Sequence, residues 1–114
     1  MTMTGGTGRL LRIFVGEGDR RDGEPLYEWL VKSAREQGLA GATVLRGCLG
    51  YGAHSVLHTA KVLRLSDDLP MVIEVVDTAE KIERFMELVD EAVGEGLATV
   101  EKVEIRVYRG RDRA

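Results

Sequence analysis

The apolar residues of this chain fall into short runs that are separated by polar or glycine-rich segments. Leu10–Val15, Ala42–Arg46 and Met71–Val76 are rich in branched apolar residues, and short runs of this kind between turn residues predict buried strands. Val62–Leu65 is a further strand-like run. Val100–Tyr108 alternates apolar and polar residues, which predicts a strand with one buried face.

Two longer segments carry apolar residues at helical spacing. Pro25 suits the first turn of the first helix, because its missing N–H would have no partner there, and Gly38 is a natural end. The second helix follows Asp77–Glu80, a polar residue with a glutamate three positions later, which is the capping-box pattern. The apolar stripes are Leu26, Trp29, Leu30 and Ala34 in the first helix, and Ile82, Phe85, Val89, Ala92 and Val93 in the second.

The predicted order of elements is β-α-β-loop-β-α-β, which forms two similar halves. Because crossover connections are right-handed, this order favours an α+β fold of the ferredoxin-like βαββαβ type, with two helices on one face of an antiparallel sheet. We expect a single domain over residues 1–114, with residues 1–8 and 110–114 as disordered tails.

A fold of this kind leaves one face of the sheet without helices. Strand alternation places Arg12 and Phe14 on that face beside Glu74, and it assigns Glu104 and Arg106 of the last strand to the same face. The result is an alternating row of acidic and basic residues among apolar side chains. We expect this face to contact other subunits, with an amphipathic, solvated face as the alternative.

The longest predicted loop spans residues 47–61, between two strand-like runs. Its first part contains Gly47, Gly50 and Gly52, and glycines allow the backbone to approach a ligand or another chain closely. A hairpin needs only a short turn, so a loop of this length in a small domain favours a binding function.

Composition narrows the class of protein. The chain has 114 residues and a formal net charge of −3, which argues against a nucleic-acid-binding surface. Its single cysteine cannot form an internal disulfide, and no segment resembles a signal peptide or a membrane span. We therefore expect a cytoplasmic protein that does not insert into a membrane.

Candidate catalytic and metal-ligating residues are few. The chain has only two histidines, His54 and His58, and both lie in the long loop, so no Ser/His/Asp or Cys/His arrangement can be built and an enzyme is not expected. Their spacing of four pairs metal ligands on helices, but a catalytic zinc site needs three protein ligands. Solvated loop histidines are the favoured interpretation, and a metal site that also uses Cys48 stays open.

The order of several motifs resembles that of the PII signalling proteins. The matching segments are Gly38–Val44, Gly50–Gly52, His58–Thr59, Leu69–Pro70 and Gly94–Gly96. The match extends over nearly the whole chain. More closely, the chain resembles the PII-like family of bacteria and archaea catalogued as domain of unknown function one hundred and ninety.

The resemblance implies a homotrimer whose sheets line a central interior, with adenine nucleotides bound in the clefts between subunits. It implies no resident cofactor. It also implies that Gly50 and Gly52 lie at the base of a mobile loop and that Gly94–Gly96 form a turn that wraps the phosphates. The implied ligand-binding residues are Thr43, Val44, Gly50, Gly52, Gly94, Glu95 and Gly96, and the implied partner-binding residues of the loop are Tyr51, Ala53, His54 and Ser55.

This chain departs from the PII pattern at two places. PII proteins have a lysine where this chain has Leu97, and they have arginine and glutamine where it has Ala53 and His54. ATP, a more weakly bound nucleotide, an effector of different charge and no effector therefore all stay open.

Three hypotheses follow for the function. The favoured one is a non-enzymatic regulator that binds a small anionic effector between subunits and docks on a partner protein through the loop at 47–61. The alternatives are a trimeric metal-binding protein that uses His54 and His58, and an effector-independent adaptor of a membrane channel or transporter.

Overall fold

The computed structural model describes residues 2–3, 6–52, 57–59 and 68–110. The predicted strand Val62–Leu65 therefore lies outside the described residues. The main strands are β1 (Gly6–Gly16), β2 (Ala42–Arg46), β3 (Pro70–Asp77) and β4 (Leu97–Ile105), and the helices are α1 (Leu26–Glu36) and α2 (Ala79–Ala92). Two-residue strands pair Thr2–Met3 with Tyr108–Arg109, Arg20–Arg21 with Glu24–Pro25, and Leu49–Gly50 with His58–Thr59.

The four main strands form one antiparallel sheet in the order β2-β3-β1-β4. With α1 between β1 and β2, and α2 between β3 and β4, this is the ferredoxin-like arrangement. The fold prediction is thereby confirmed.

The predicted N-terminal tail is too long, because β1 begins at Gly6. Gly6, Thr7 and Gly8 pair with residues of β4. A Cβ at Gly8 would lie 2.6 Å from Ile105 Cδ1 and 2.8 Å from the Asp77 carbonyl oxygen, so the absent side chain is what allows this approach. Glycines that resemble a flexible start are therefore part of the sheet.

The helix boundaries follow local chemistry, with one correction. The first helix ends at Glu36, just before Gly38, whose φ of +77° is a left-handed conformation that glycine adopts readily. The second begins after Thr78, whose hydroxyl accepts a hydrogen bond from the Lys81 N–H at 3.4 Å. The predicted cap Asp77 instead ends β3. No helix in the described ranges has the length and hydropathy to cross a membrane.

The core lies between the sheet and the two helices. α1 packs mainly on β2 and β3, whereas α2 packs on β1 and β3. The core residues are Leu11, Ile13, Val15, Leu26, Leu30, Ala34, Met71, Ile73, Val75, Ile82, Phe85 and Val89, all of which are buried. Trp29 packs against this core and also against the Arg21 guanidinium, which lies 4.5 Å from the ring centroid.

Side chains on the face without helices are arranged in rows across the strands. The strand register places Leu45, Val72, Phe14 and Leu97 in one row, which is wholly apolar. The adjacent row consists of Thr43, Glu74, Arg12 and Thr99.

The predicted neighbours of Arg12 on the last strand were wrong. Arg12 lies opposite Thr99, and its guanidinium contacts Glu101 at 2.7 Å, whereas Glu104 lies opposite Thr7 and so belongs to the face that carries the helices. Arg106 follows the end of β4 and lies 3.6 Å from Glu104. The alternating pattern alone does not decide which face each residue of β4 takes, and the pairing with β1 puts the odd-numbered residues of β4 on the face of Arg12.

Candidate functional site

The two glycine segments lie at the same end of the sheet. The Gly47 N–H donates to the Pro70 carbonyl at 2.7 Å, and Pro70 is paired with Gly16 at the end of β1. Gly96 directly precedes Leu97, which pairs with Phe14 near the same end of β1. The segment at 47–52 and the turn at 94–96 therefore face the same side of the molecule.

The two glycine segments lie beside opposite edges of the sheet, although they share one of its ends. Residues 47–52 follow β2 and residues 94–96 precede β4, and these are the two outer strands. Three inter-strand spacings separate outer strands, which is about 14 Å. A single phosphate cannot contact both segments of one chain, so the binding of one phosphate by both segments requires two copies of the protein.

Packing within the chain explains why two of the predicted ligand-binding positions, Gly50 and Gly96, are occupied by glycine. A Cβ at Gly50 would lie 2.7 Å from Pro70 Cγ, and a Cβ at Gly96 would lie 2.5 Å from the Phe14 carbonyl oxygen. Gly96 also has a φ of +155°, which residues with a side chain rarely adopt. Both positions need glycine for the fold itself.

Gly52 and Gly94 differ from these two positions. Within the part of the chain that the structure describes, a Cβ at either residue would have no neighbouring atom within 4 Å, and neither residue has a positive φ. Their backbones are open to the surroundings, and backbone N–H groups in open turns can bind anions. Glu95, between Gly94 and Gly96, is exposed at the surface.

The predicted pair Thr43 and Val44 is divided between the two faces of β2. Thr43 is exposed and lies opposite Glu74 on the uncovered face, whereas Val44 lies opposite Ile73 and packs against the core. Because neighbouring residues of a strand point to opposite faces, a ligand on the uncovered face can contact only the Thr43 side chain of the two.

A turn at 16–19 lies between the two glycine segments, and groups of the protein itself occupy its N–H donors. The Gly18 N–H donates to Asp68 Oδ1 at 2.8 Å, and the Glu17 N–H donates to the Leu69 carbonyl at 2.8 Å. The Gly16 N–H donates to Asp19 Oδ2 at 2.9 Å within the turn. With carboxylates on two of these donors, this turn is unsuited to binding an anion.

Sequence reasoning missed an ion pair at this end of the sheet. Arg46 Nη2 lies 3.1 Å from Glu17 Oε1, which joins the last residue of β2 to the turn after β1. Cys48, two residues after Arg46, has an exposed side chain. The sequence alone could not indicate this ion pair, because both charges lie at the carboxyl ends of β1 and β2, which only the strand order brings to the same end of the sheet.

The start of the long loop exposes large apolar side chains. Leu49, Tyr51 and Leu57 are 58%, 69% and 63% exposed, and Leu45 at the end of β2 is 49% exposed. Isolated exposed apolar residues are ordinary, but four within one short stretch indicate a contact surface. The predicted loop residues Ala53, His54 and Ser55 lie outside the described residues.

The metal prediction remains untested. His54 lies outside the described residues, and of His58 only the backbone pairing with Gly50 is described. Across the ranges that are described, no group of three or more His, Cys, Asp or Glu side chains is placed to hold a metal ion.

A charged cluster lies near the centre of the uncovered face. Arg12 Nε donates to Glu74 Oε2 at 2.9 Å, and Arg12 Nη1 donates to Glu101 Oε1 at 2.7 Å. The hydrogen bond to Glu74, followed by that to Glu101, raises the pKa of Arg12. The cluster carries two carboxylates and one guanidinium, so its formal charge is −1.

Comparison with known proteins identifies the family of this chain. The model of the DUF190 family, described as Uncharacterized ACR, COG1993, matches residues 8–105. The chain belongs to this family. A UPF0166 protein of Aquifex aeolicus is 42% identical over 97 residues, which is 85% of this chain and 91% of the relative. The resemblance to the PII-like family is thereby confirmed.

Solved structures support the fold assignment of this DUF190 protein. A putative PII-like signalling protein of Thermus thermophilus has a TM-score of 0.67 at 18% identity, over 91% of this chain and 94% of the other. CPII of Thiomonas intermedia, a nitrogen regulatory PII-like protein bound to ADP, AMP and bicarbonate, has a TM-score of 0.64 at 15% identity, over 92% and 91%. At these identities the likeness establishes a PII-like fold.

Proposed function

We propose that this DUF190 protein is a non-enzymatic, PII-like regulatory protein of the cytoplasm. It assembles as a homotrimer and binds a small anionic effector, an adenine nucleotide, between neighbouring protomers. The effector orders the loop at 47–61, and the ordered loop docks on a partner protein.

The observation that carries this proposal is the position of the glycine segments. Gly52 and Gly94 have open backbones at the same end of the sheet but at opposite edges, so two protomers are needed to bring such segments together. Backbone N–H groups can bind phosphate oxygens without a charged side chain. A site of this kind therefore does not need the lysine that PII proteins have at the position of Leu97.

The uncovered face supports the assembly. Its apolar row includes Leu45 and Leu97, which are 49% and 57% exposed, with Val72 and Phe14 between them. A continuous apolar row across a whole sheet is unfavourable in water, and a second copy of the same face would cover it.

The structural neighbour CPII supports the choice of ligand. That protein is described as bound to ADP and AMP. The proposed coupling is an order–disorder change of the loop, which an effector can drive only to the extent that it binds the ordered state more tightly.

Isothermal titration calorimetry tests the proposal directly. The assembled protein is titrated with AMP, ADP, ATP and cyclic nucleotides, and inorganic phosphate serves as the control for simple anion binding. We expect heat from at least one adenine nucleotide and none from phosphate at the same concentration. Absence of binding to every nucleotide at millimolar concentration would contradict the proposal.

An effector-independent adaptor is the second candidate, because the exposed apolar stretch formed by Leu45, Leu49, Tyr51 and Leu57 could bind a partner without an effector. A membrane channel or transporter is the kind of partner considered. A pull-down from solubilised membranes with and without ADP separates the two. Recovery that depends on nucleotide supports the regulator, and equal recovery supports the adaptor.

A further inference from the structure

The turn at residues 16–19 bonds to the chain on both sides of the long loop. Before the loop, Arg46 Nη2 at the end of β2 lies 3.1 Å from Glu17 Oε1. After the loop, Asp68 Oδ1 accepts a hydrogen bond from the Gly18 N–H at 2.8 Å, although these two residues are 50 positions apart. The turn therefore connects the two ends between which the loop extends.

Gly16 lacks a side chain at the point where the Asp68 carboxylate lies. A Cβ at Gly16 would overlap Asp68 Oδ1 and would lie 3.1 Å from Asp68 Cγ. The φ of Gly16 is not positive, so its backbone conformation does not itself require glycine. The space that the carboxylate occupies therefore accounts for glycine at this position.

The segment Gly16–Gly18 is thus a receptor for a carboxylate of its own chain. Backbone N–H groups in glycine-containing turns often bind the anionic group of a ligand. Here Asp68 supplies the anionic group at Gly18, and the Asp19 carboxylate accepts the Gly16 N–H at 2.9 Å. A contact within the chain therefore explains this glycine pair without a ligand.

The residues that follow Asp68 are held independently of its carboxylate. Leu69 is buried, and its carbonyl accepts the Glu17 N–H at 2.8 Å. Pro70 pairs with Gly16 in the sheet. Asp68, by contrast, is only half-buried, and its hydrogen bond to the turn lies at the surface. Loss of that bond would free the returning end of the loop and leave β3 in place.

The arms of the loop are also joined farther from the sheet. In the described part of the loop, Leu49–Gly50 pair with His58–Thr59. A ladder of two residue pairs is not stable alone, so it depends on how its two arms are held at their bases. The exposed side chains of Tyr51 and Leu57 flank this ladder. Their arrangement therefore depends on the contacts at the turn.

We infer that residues 16–18 and the Asp68 carboxylate form a latch that fixes the returning end of the long loop, and that opening this latch releases the loop while the domain stays folded. A single surface hydrogen bond is weak enough to open without global unfolding. The latch lies within one chain, so it requires neither the proposed assembly nor a nucleotide.

A double-mutant cycle tests the latch on the protein without nucleotide. Asp68→Ala removes the carboxylate, and Gly16→Ala excludes it, because the new methyl group meets the end of a flexible side chain. In each variant, NMR-detected amide exchange at Gly18 and in the ladder at 49–50 and 58–59 should be at least about five-fold faster, which corresponds to one lost hydrogen bond. The double variant should exchange no faster than Asp68→Ala alone.

Two further variants and the core amides serve as controls. Gly41→Ala adds a methyl group in open space, and Asp90→Ala removes an exposed carboxylate from α2, so both should exchange as the wild type does. Asp68→Asn keeps an oxygen that can accept the Gly18 N–H and should retain most of the protection. Amides of β1 and of both helices should be unchanged in every variant.

Three results would overturn the inference. Faster exchange at Gly18 without a change in the ladder would show a local contact that does not hold the loop. Equal acceleration of the core amides would show that Asp68 stabilises the whole domain. Additive effects of Gly16→Ala and Asp68→Ala would show that the glycine does not serve the carboxylate.

Limited trypsin digestion gives an independent measurement. Lys61 and Arg64 provide cleavage positions between the ladder and Asp68. Asp68→Ala and Gly16→Ala should each be cleaved there at least about five-fold faster than the wild type, because a segment that opens locally is accessible to a protease more often. Cleavage at the wild-type rate in both variants would contradict the latch.

Discussion

Arg12 and Glu74 form an ion pair near the centre of the sheet face that no helix covers, with Arg12 Nε 2.9 Å from Glu74 Oε2. Glu101 contacts the other side of the guanidinium at 2.7 Å. These contacts raise the pKa of Arg12, so its stabilising contribution is complete below the ordinary arginine pKa and is lost only in strong alkali. Changes of pH near neutrality leave this cation charged.

The first prediction concerns Arg12→Met. On an exposed face the change should have little effect on folding, because ion pairs in water contribute little. In an assembly that encloses the face, Glu74 and Glu101 would be left without their cation. We therefore expect the thermal unfolding of the protomer to be nearly unchanged and its self-association, measured by ultracentrifugation, to weaken by at least about ten-fold.

A matched control is available for this variant. Replacing both carboxylates as well, with Glu74→Gln and Glu101→Gln added to Arg12→Met, removes the unpaired charges, so association should recover at least in part. If Arg12→Met associates as strongly as the wild-type chain, the uncovered face is not enclosed in the assembly.

The second prediction compares Gly94→Ala with Gly41→Ala. Neither residue has a positive φ, and a Cβ at either position has open space in the described part of the chain, so both variants should fold normally. Only Gly94 lies in the proposed crevice. By calorimetry with ADP, Gly94→Ala should weaken binding, whereas Gly41→Ala should bind as the wild type does. Equal binding by both variants would remove Gly94 from the site.

The third prediction concerns Gly96→Ala. A Cβ there would lie 2.5 Å from the Phe14 carbonyl oxygen, and the φ of +155° is unfavourable for alanine. The free energy of unfolding should fall by roughly 1–3 kcal/mol, as for other overpacked or strained positions. Denaturant unfolding at fixed protein concentration measures it. A stability equal to that of Gly94→Ala would show that the close approach is absent.

The fourth prediction concerns the loop that connects α1 to β2. The buried Asp77 accepts the Ala40 N–H at 2.8 Å and the Thr78 N–H at 2.6 Å, and the Tyr108 hydroxyl donates to the Ala40 carbonyl at 2.5 Å. Tyr108→Phe removes one hydrogen bond and should cost about 1 kcal/mol, whereas Asp77→Ala leaves two N–H groups without an acceptor and should cost roughly 3 kcal/mol. Denaturant unfolding ranks the two variants, and the reverse order would contradict the described contacts.

Much of the fold could be predicted because its signals are local. The apolar runs of β1, β2 and β3 lie where the sequence indicates, and Gly38 follows α1 as expected. The Asp77 carboxylate accepts a hydrogen bond from the N–H of Ala40, a residue that is distant in sequence. Thr78 rather than Asp77 therefore caps α2.

The last strand shows why the remainder could not be predicted. Leu97, Ala98 and Thr99 do not form a pattern by themselves, and they become part of β4 only because β1 is there to pair with them. The partner of Arg12 is therefore Glu101 and not Glu104. The role of the N-terminal glycines is hidden for the same reason, since only the neighbouring Ile105 and the Asp77 carbonyl show why Gly8 must lack a side chain.

The positions of the candidate site residues in the fold could be predicted only in part. Both glycine segments lie at one end of the sheet, as a shared site requires, but their separation onto opposite edges depends on strand order. The division of Thr43 and Val44 between two faces likewise depends on which face of β2 meets the helices.

Native mass spectrometry in the presence of ADP tests whether the nucleotide binds between the protomers of a trimer, because one spectrum reports both the number of chains and the number of nucleotides. We predict a species of three 12.6 kDa chains that carries up to three ADP molecules. A 12.6 kDa monomer that binds ADP by itself, or a trimer that binds none at millimolar concentration, would contradict it.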